Sequence, residues 1–295
     1  MMNYLCFYLI LNTVLSCSVC LGDTDNINSN LISKRDSLVN YNLKLSRLNE
    51  VLSGDFILIP HSYFIIASDL TESEIKKIIS SVIDKATFCF YNNFLDKRPD
   101  EVITVFLFKD KYSYEHWAYK LFNDYDLSPY GYYKPTERTL LMNISTGSGT
   151  LVHELTHALV DFDFPDIPAW FNEGMGSLYE KCSFSMGEIR GHVNWRLPVL
   201  KKALTTGKYT SLEKLIKSGR SEFYGNNSAF NYSQARYLCM YLQETGILKQ
   251  YYRKFRDSYN TDACGMTQLE EITGMSISEL ENKFLKWIET IEYYE

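Results

Sequence analysis

The first 22 residues contain no Lys, Arg, Asp or Glu. Beyond them no apolar run reaches membrane-spanning length, which excludes a polytopic membrane protein. A basic surplus is missing too: 30 Lys and Arg stand against 36 Asp and Glu, a formal charge of −6. A nucleic-acid-binding surface shows the opposite balance. Past residue 22 there is no Cys-x-x-Cys pair, which argues against a cysteine-based zinc site. The four cysteines there, Cys89, Cys182, Cys239 and Cys264, fit either two disulfides or buried thiols. The apolar helical runs around Cys89 and Cys239 favour buried thiols. Internal repeats and low-complexity tracts are also lacking. What is abundant is hydrophobic residue, 45% of 295, enough for one domain or two tightly joined ones.

Met1 to Gly22 is dominated by Leu, Tyr, Phe, Ile, Val and Cys, and Asp23 then opens a polar stretch. An apolar segment of this kind reads as a secretory signal peptide, although its start carries no Lys or Arg. Val14-Leu15-Ser16-Cys17 resembles the lipobox at which bacterial lipoproteins are cleaved and lipidated. The expected location is therefore secreted or cell envelope, with a lipid on Cys17 or an uncleaved signal anchor as the means of membrane contact.

Residues 23–53 read as a linker or an amphipathic helix, with Leu38, Leu45, Leu48, Val51 and Leu52 at helical spacing. Strands are predicted at Asp55–Pro60, Tyr63–Ala67, Glu101–Phe108 and Arg138–Ile144. Helices are predicted at Glu72–Phe94, Lys111–Asn123 and from about Leu151. After Pro165 the pattern reads as helical almost to the end, with helices near Val193–Thr205, Ser211–Ser218, Ser233–Glu244, Ile247–Asp257 and Ser278–Ile291. The expected fold class is α+β: an N-terminal α/β part, 54–164, and a C-terminal helical lobe, 165–295, with a cleft between them. The Arg138–Ile144 strand is a candidate edge strand for pairing with an extended peptide.

The chemistry-bearing stretch is Leu151–Glu180, which contains His153-Glu154-Leu155-Thr156-His157. Residues four apart lie on one helix face, so His153 and His157 can aim two imidazoles at one metal ion. Glu154 lies beside them, within reach of a bound water. Asp166-Ile167-Pro168 begins a second helix, which carries Trp170-Phe171-Asn172-Glu173-Gly174. Folded back beside the first helix, it would offer Glu173 as a third ligand and leave a fourth position for water. Asp161, one turn after His157, and Glu180, two turns after Glu173, are candidates to orient the imidazoles.

The His-Glu-x-x-His helix and the Trp-Phe-Asn-Glu-Gly context resemble the gluzincin metallopeptidases, most closely the peptidase-MA-like group of exported proteins. The resemblance extends over about Asp55 to Trp287. It implies a gluzincin-like fold, with a small mixed or antiparallel sheet and helices packed on the zinc helix. It implies one Zn²⁺ per chain on His153, His157 and Glu173, with Glu154 as catalytic base. It also implies a transition-state donor, for which Tyr232 is the first candidate and His192 the alternative. No Gly-x-Met-Glu-Asn-type segment is present. That segment recognises a substrate amino terminus in the zinc aminopeptidases, so endopeptidase action is favoured. The expected partner is a peptide or protein substrate. The alternative expectation is a non-catalytic or narrowly specific metal-binding envelope protein of the same fold.

Overall fold

The computed structural model describes residues 39–52 and 54–294. The expected signal segment, Cys17 and most of the expected linker lie outside the described residues. The first described element, α1 (39–52), is helical, as the Leu spacing predicts. It is docked: Tyr41 Oη donates to the Phe64 carbonyl at 2.8 Å, and Lys44 Nζ donates to the carbonyls of Glu137 at 3.1 Å and Val102 at 3.3 Å.

Five strands form the main sheet: β1 (Ile57–His61), β2 (Phe64–Ser68), β3 (Ile103–Phe108), β4 (Gly131–Lys134) and β5 (Thr139–Asn143). Their order is β1-β2-β3-β5-β4, with β2-β3 and β3-β5 parallel and the two outer pairs antiparallel. The sheet is thus small and mixed. Its central strands are covered on both faces, which is why they read as unbroken apolar runs. Side chains alternate between two cores. Phe64, Ile66, Val105, Leu107, Leu140 and Met142 join the larger core. Ala67, Phe106, Phe108 and Leu141 meet Leu52, Tyr114 and Trp117 on the other side.

Two expectations are corrected here. Arg138–Ile144 was expected as an edge strand, but β5 lies inside the sheet between β3 and β4. The edge on that side is β4, a four-residue strand too short to announce itself by alternation. The segment after Pro165 is also not all helical. A hairpin of β6 (Cys182–Ser185) and β7 (Glu188–Gly191) interrupts it. Its two turn residues, Met186 and Gly187, both take positive φ, as a two-residue hairpin turn requires.

The expected helix after Thr71 runs as α2 (Glu72–Ile78), a π-helical segment Ile79–Ile83, and α3 (Asp84–Asn93). Thr71 and Glu74 cap its start reciprocally. Helix α4 (Lys111–Phe122) covers the far side of the sheet. Helix α5 (Gly149–Asp163) packs in the larger core, and α6 (Ala169–Tyr179) follows a short turn. A Cβ on Gly149, at the start of α5, would run into the Glu180 carbonyl just past α6. The start of one helix therefore abuts the end of the other, and the two run antiparallel.

The rest is α7 (Arg196–Thr205), α8 (Leu212–Lys217), α9 (Arg220–Phe223), α10 (Ser228–Glu244), α11 (Leu248–Ser258), α12 (Met266–Thr273) and α13 (Ile277–Thr290). Helix α10 begins before the predicted Ser233, so Tyr232 lies within it; α9 and α12 were not predicted. One hydrophobic core runs from β2 through to Ile288 of α13. Cys89, Cys182, Cys239 and Cys264 are all free thiols, with Cys89 and Cys239 buried.

Candidate metal centre

Helix α5 is buried on nearly all sides. Leu151, Val152, Leu155, Ala158 and Leu159 hold it in the core. That packing turns His153 and His157, one turn apart, to the same side. Their rings meet edge to face with centroids 4.7 Å apart. Helix α6 brings Glu173 against both: its Oε2 lies 3.3 Å from His153 Nε2 and 3.4 Å from His157 Nε2. All three residues are largely shielded from solvent, and their ligand atoms lie within 4.8 Å of one another.

This arrangement fits a divalent cation. Glu173 Oε2 is buried and has no hydrogen-bond partner, although two imidazole nitrogens flank it. Two ligand atoms about 2.0–2.1 Å from one ion, at a tetrahedral angle, stand about 3.3 Å apart. The observed separations match that spacing. The remaining atoms of the three groups are held in place. His153 Nδ1 is 3.1 Å from Glu180 Oε1, and His157 Nδ1 is 2.9 Å from Asn172 Oδ1. Tyr224 Oη donates to Glu173 Oε1 at 2.6 Å. Such outer partners fix ring orientation and leave Nε2 free to ligate.

The electrostatics agree. Burial alone would push the His153 imidazole down, but Glu173 and Glu180 outweigh it and raise its pKa to about 10. Burial opposes ionisation of Glu173, yet the His157 and His153 imidazoles hold its carboxyl well below the usual range. The pocket demands positive charge, which protons or a divalent cation supply.

Close approach is possible because α6 is small where the rings lie. A Cβ on Gly176 would sit 3.0 Å from His153 Nε2 and 3.1 Å from His157 Cε1. Two residues earlier, a Cβ on Gly174 would meet Cys239 Sγ at 2.7 Å and the Ala235 carbonyl oxygen at 2.9 Å. Gly174 lets α6 seat on α10, and Gly176 leaves room for the imidazoles.

The group opens into a cleft of about 920 Å³ lined by residues that include β4, α5, α6, Trp195, Arg196, Tyr224 and Tyr232. Glu154 lines it beside the histidines, and its carboxylate makes no hydrogen bond or ion pair among the described residues. Tyr232 lines the same wall, its ring 6.2 Å from that of Tyr224. Burial, then the Glu173 carboxylate, push its phenol up, so it stays a protonated donor.

Other expected residues fall elsewhere. His192 is outside the cleft lining; its Nε2 pairs with Ser183 Oγ at 2.7 Å. Asp161 does not reach an imidazole. It binds Arg138 and accepts from Tyr133 Oη at 3.1 Å, tying β4 and the turn before β5 to α5. The imidazole partner is instead Asn172, the residue before Glu173, which sequence reasoning passed over. Tyr224 was also missed, because it ends a four-residue helix with no periodicity to read.

A scan of the chain against protein-family models returns no match, and a search of curated proteins returns none either.

Proposed function

We propose that the protein is an exported, zinc-dependent metallopeptidase of the gluzincin kind. The observation that carries this is the orphaned Glu173 Oε2, set 3.3 and 3.4 Å from two imidazole nitrogens at the floor of an open cleft. Two nitrogens and one carboxylate oxygen suit zinc, and three protein ligands beside open space are the catalytic pattern, whereas structural zinc sites are closed by four. Glu154 supports the same reading. A structural site has no use for a second carboxylate left without hydrogen bonds beside the ligands. The edge strand β4 borders the cleft through Gly131, Tyr132 and Tyr133. An extended peptide can pair with such an edge.

Bound to His153, His157 and Glu173, zinc would polarise the scissile carbonyl and lower the pKa of water toward neutrality. Glu154, beside the histidines on the cleft wall, would take the proton of the attacking water and hand it to the leaving amine. The protonated phenol of Tyr232 supplies a hydrogen bond to the developing oxyanion. Glu180 and Asn172 keep the two imidazoles in the ligating orientation, and Tyr224 keeps Glu173 turned toward them.

The test is zinc content and peptide hydrolysis of the purified full chain beside Glu154→Gln. Both proteins should hold one zinc, and the variant should lose about 10²–10⁴ of the cleavage rate. A chain that takes up no zinc sinks the proposal, and so does undiminished cleavage by Glu154→Gln. Zinc held without cleavage of any peptide in a diverse library would transfer the site to a binding role.

A further inference from the structure

The charges along the cleft are nearly all matched. Arg196 is committed to Glu180, with Nη2–Oε1 at 2.8 Å and Nε–Oε2 at 3.2 Å. Arg138 holds Asp161, and Glu173 faces the two imidazoles. Among the described residues lining the cleft, two charged side chains are left without an ion-pair partner: Glu154 and Arg220. The first has a role in the reaction proposed above. The second has none so far.

Arg220 is well mounted for a role. It opens α9, whose Phe223 is fully buried. Asn231 Nδ2 donates to the carbonyl of Phe223 at 2.8 Å and reaches that of Glu222 at 3.4 Å, which pins the segment to α10. The guanidinium lies 5.1 Å from the centroid of the Tyr224 ring, and the hydroxyl of that ring bonds Glu173. One aromatic ring thus separates Arg220 from the metal centre. The carboxylate nearest in sequence, Glu222, pairs with Lys214 at 3.8 Å and leaves Arg220 alone. A planar fork of donors laid on an aromatic face is pre-organised for a carboxylate, and its charge is weakly enough hydrated to give up water.

We propose that Arg220 is a specificity determinant of the cleft, a subsite for a substrate carboxylate close to the scissile bond. The inference rests on the peptidase reading. The carboxylate comes from one of two sources, an Asp or Glu side chain or the terminal carboxyl of a short peptide. The guanidinium recognises both alike, and only the distance to the cleaved bond separates them.

The experiment uses the zinc-loaded full chain and matched internally quenched peptides. One set carries Glu or its neutral isostere Gln at each position around the cleaved bond. A second set ends in a free carboxyl or an amide. At one position, or at the terminus, the acidic peptide should have a kcat/KM about 5-fold above its neutral partner, a modest factor because Arg220 is exposed to solvent and salt. Arg220→Gln should bring the ratio to about one, and Arg220→Lys should keep part of it. Preference in the first set identifies a side chain, and preference in the second a terminal carboxyl. A ratio unchanged in Arg220→Gln, or no acid preference anywhere in wild type, overturns the subsite while cleavage itself stands. Binding of the same peptides to Glu154→Gln, with and without Arg220→Gln, separates the two readings. If no peptide is cleaved but acidic ones bind in an Arg220-dependent way, the hydrolase reading fails and the subsite survives. If binding shows no dependence on Arg220 either, the subsite fails with it.

Discussion

Gly176→Ala should weaken metal binding while leaving the chain folded. The new methyl group would begin 3.0 Å from His153 Nε2 and 3.1 Å from both His153 Cδ2 and His157 Cε1. Carbon and nitrogen settle near 3.5 Å or beyond, so the rings or the helix must yield by about 0.4–0.5 Å. The helix is the stiffer party, because Gly174 already sets α6 against the Ala235 carbonyl. The rings are tethered too, by Glu180 at 3.1 Å and Asn172 at 2.9 Å. Metal–ligand distances hold to about 0.2 Å, half the displacement required. The expected loss is therefore like that of an outer partner, about 10–100-fold in affinity, or about 1.4–2.7 kcal/mol. Stability of the metal-free chain should change less. Ala in place of Gly within a helix contributes about 1 kcal/mol, and crowding costs about 1–3 kcal/mol. The assay is zinc competition against a chromophoric chelator, with the thermal midpoint read with and without zinc. The zinc-induced rise in midpoint should shrink in the variant. Gly174→Ala is the control, because the nearest atoms its methyl meets, Cys239 Sγ and the Ala235 carbonyl, belong to α10 and not to the rings. It should destabilise the protein with and without metal by the same amount. Wild-type zinc affinity in a folded Gly176→Ala chain would refute the claim that ring spacing under α6 makes the site.

Two further predictions concern the partners of the imidazoles and the far end of α5. Asn172→Ala and Glu180→Gln should each lower zinc affinity about 10–100-fold, and Asn172→Asp, which keeps an acceptor at His157 Nδ1, should restore most of the loss. A metal affinity insensitive to Asn172→Ala would show that the contact orients nothing. The second concerns Asp163 at the end of α5, which accepts from the Asp96 and Lys97 amides, Tyr252 Oη and Arg256 Nη1 at 2.7–3.0 Å. Burial pushes its carboxyl up, but the amides of Lys97 and Asp96 and the Arg256 guanidinium outweigh that and lower its pKa. A depressed folded value means the stabilisation is present above the unfolded pKa of about 3.9 and is lost as pH falls through the folded value. Asp163→Asn should cost about 2–3 kcal/mol in urea unfolding at pH 7, and the gap to wild type should narrow at pH 3. An equal gap at both pH values would place the effect in packing rather than charge.

The division between what the sequence discloses and what it conceals follows from the range of each signal. His153, Glu154 and His157 are legible because a helix repeats every 3.6 residues, so four positions along the chain fix one turn in space. Glu173 is legible by one further step, since Pro168 starts a helix that a short turn must fold back. Asn172 shares that helix and could have been read from its place beside Glu173, had both rings been asked for a second partner. Tyr224 could not. It ends a single turn of helix between two others, one of 23 tyrosines, and only the tertiary packing of α9 on α6 brings it to Glu173. The misplaced edge strand has a similar origin. β5 comes directly before the α5 helix in the chain, but sheet order is set by pairing, and four residues of β4 cover its outer side. The hairpin after α6 was hidden because Met186 at positive φ is not a residue that signals a tight turn. Gly174 and Gly176 make the sharpest case. In sequence they read as weak points in a helix, each costing about 1 kcal/mol against Ala. In space each marks a surface that had to come closer than a methyl group allows, α10 on one side and two imidazoles on the other. A glycine in a helix that carries a ligand is therefore evidence about what lies across from it, and the partner it admits is the part that only the fold can name.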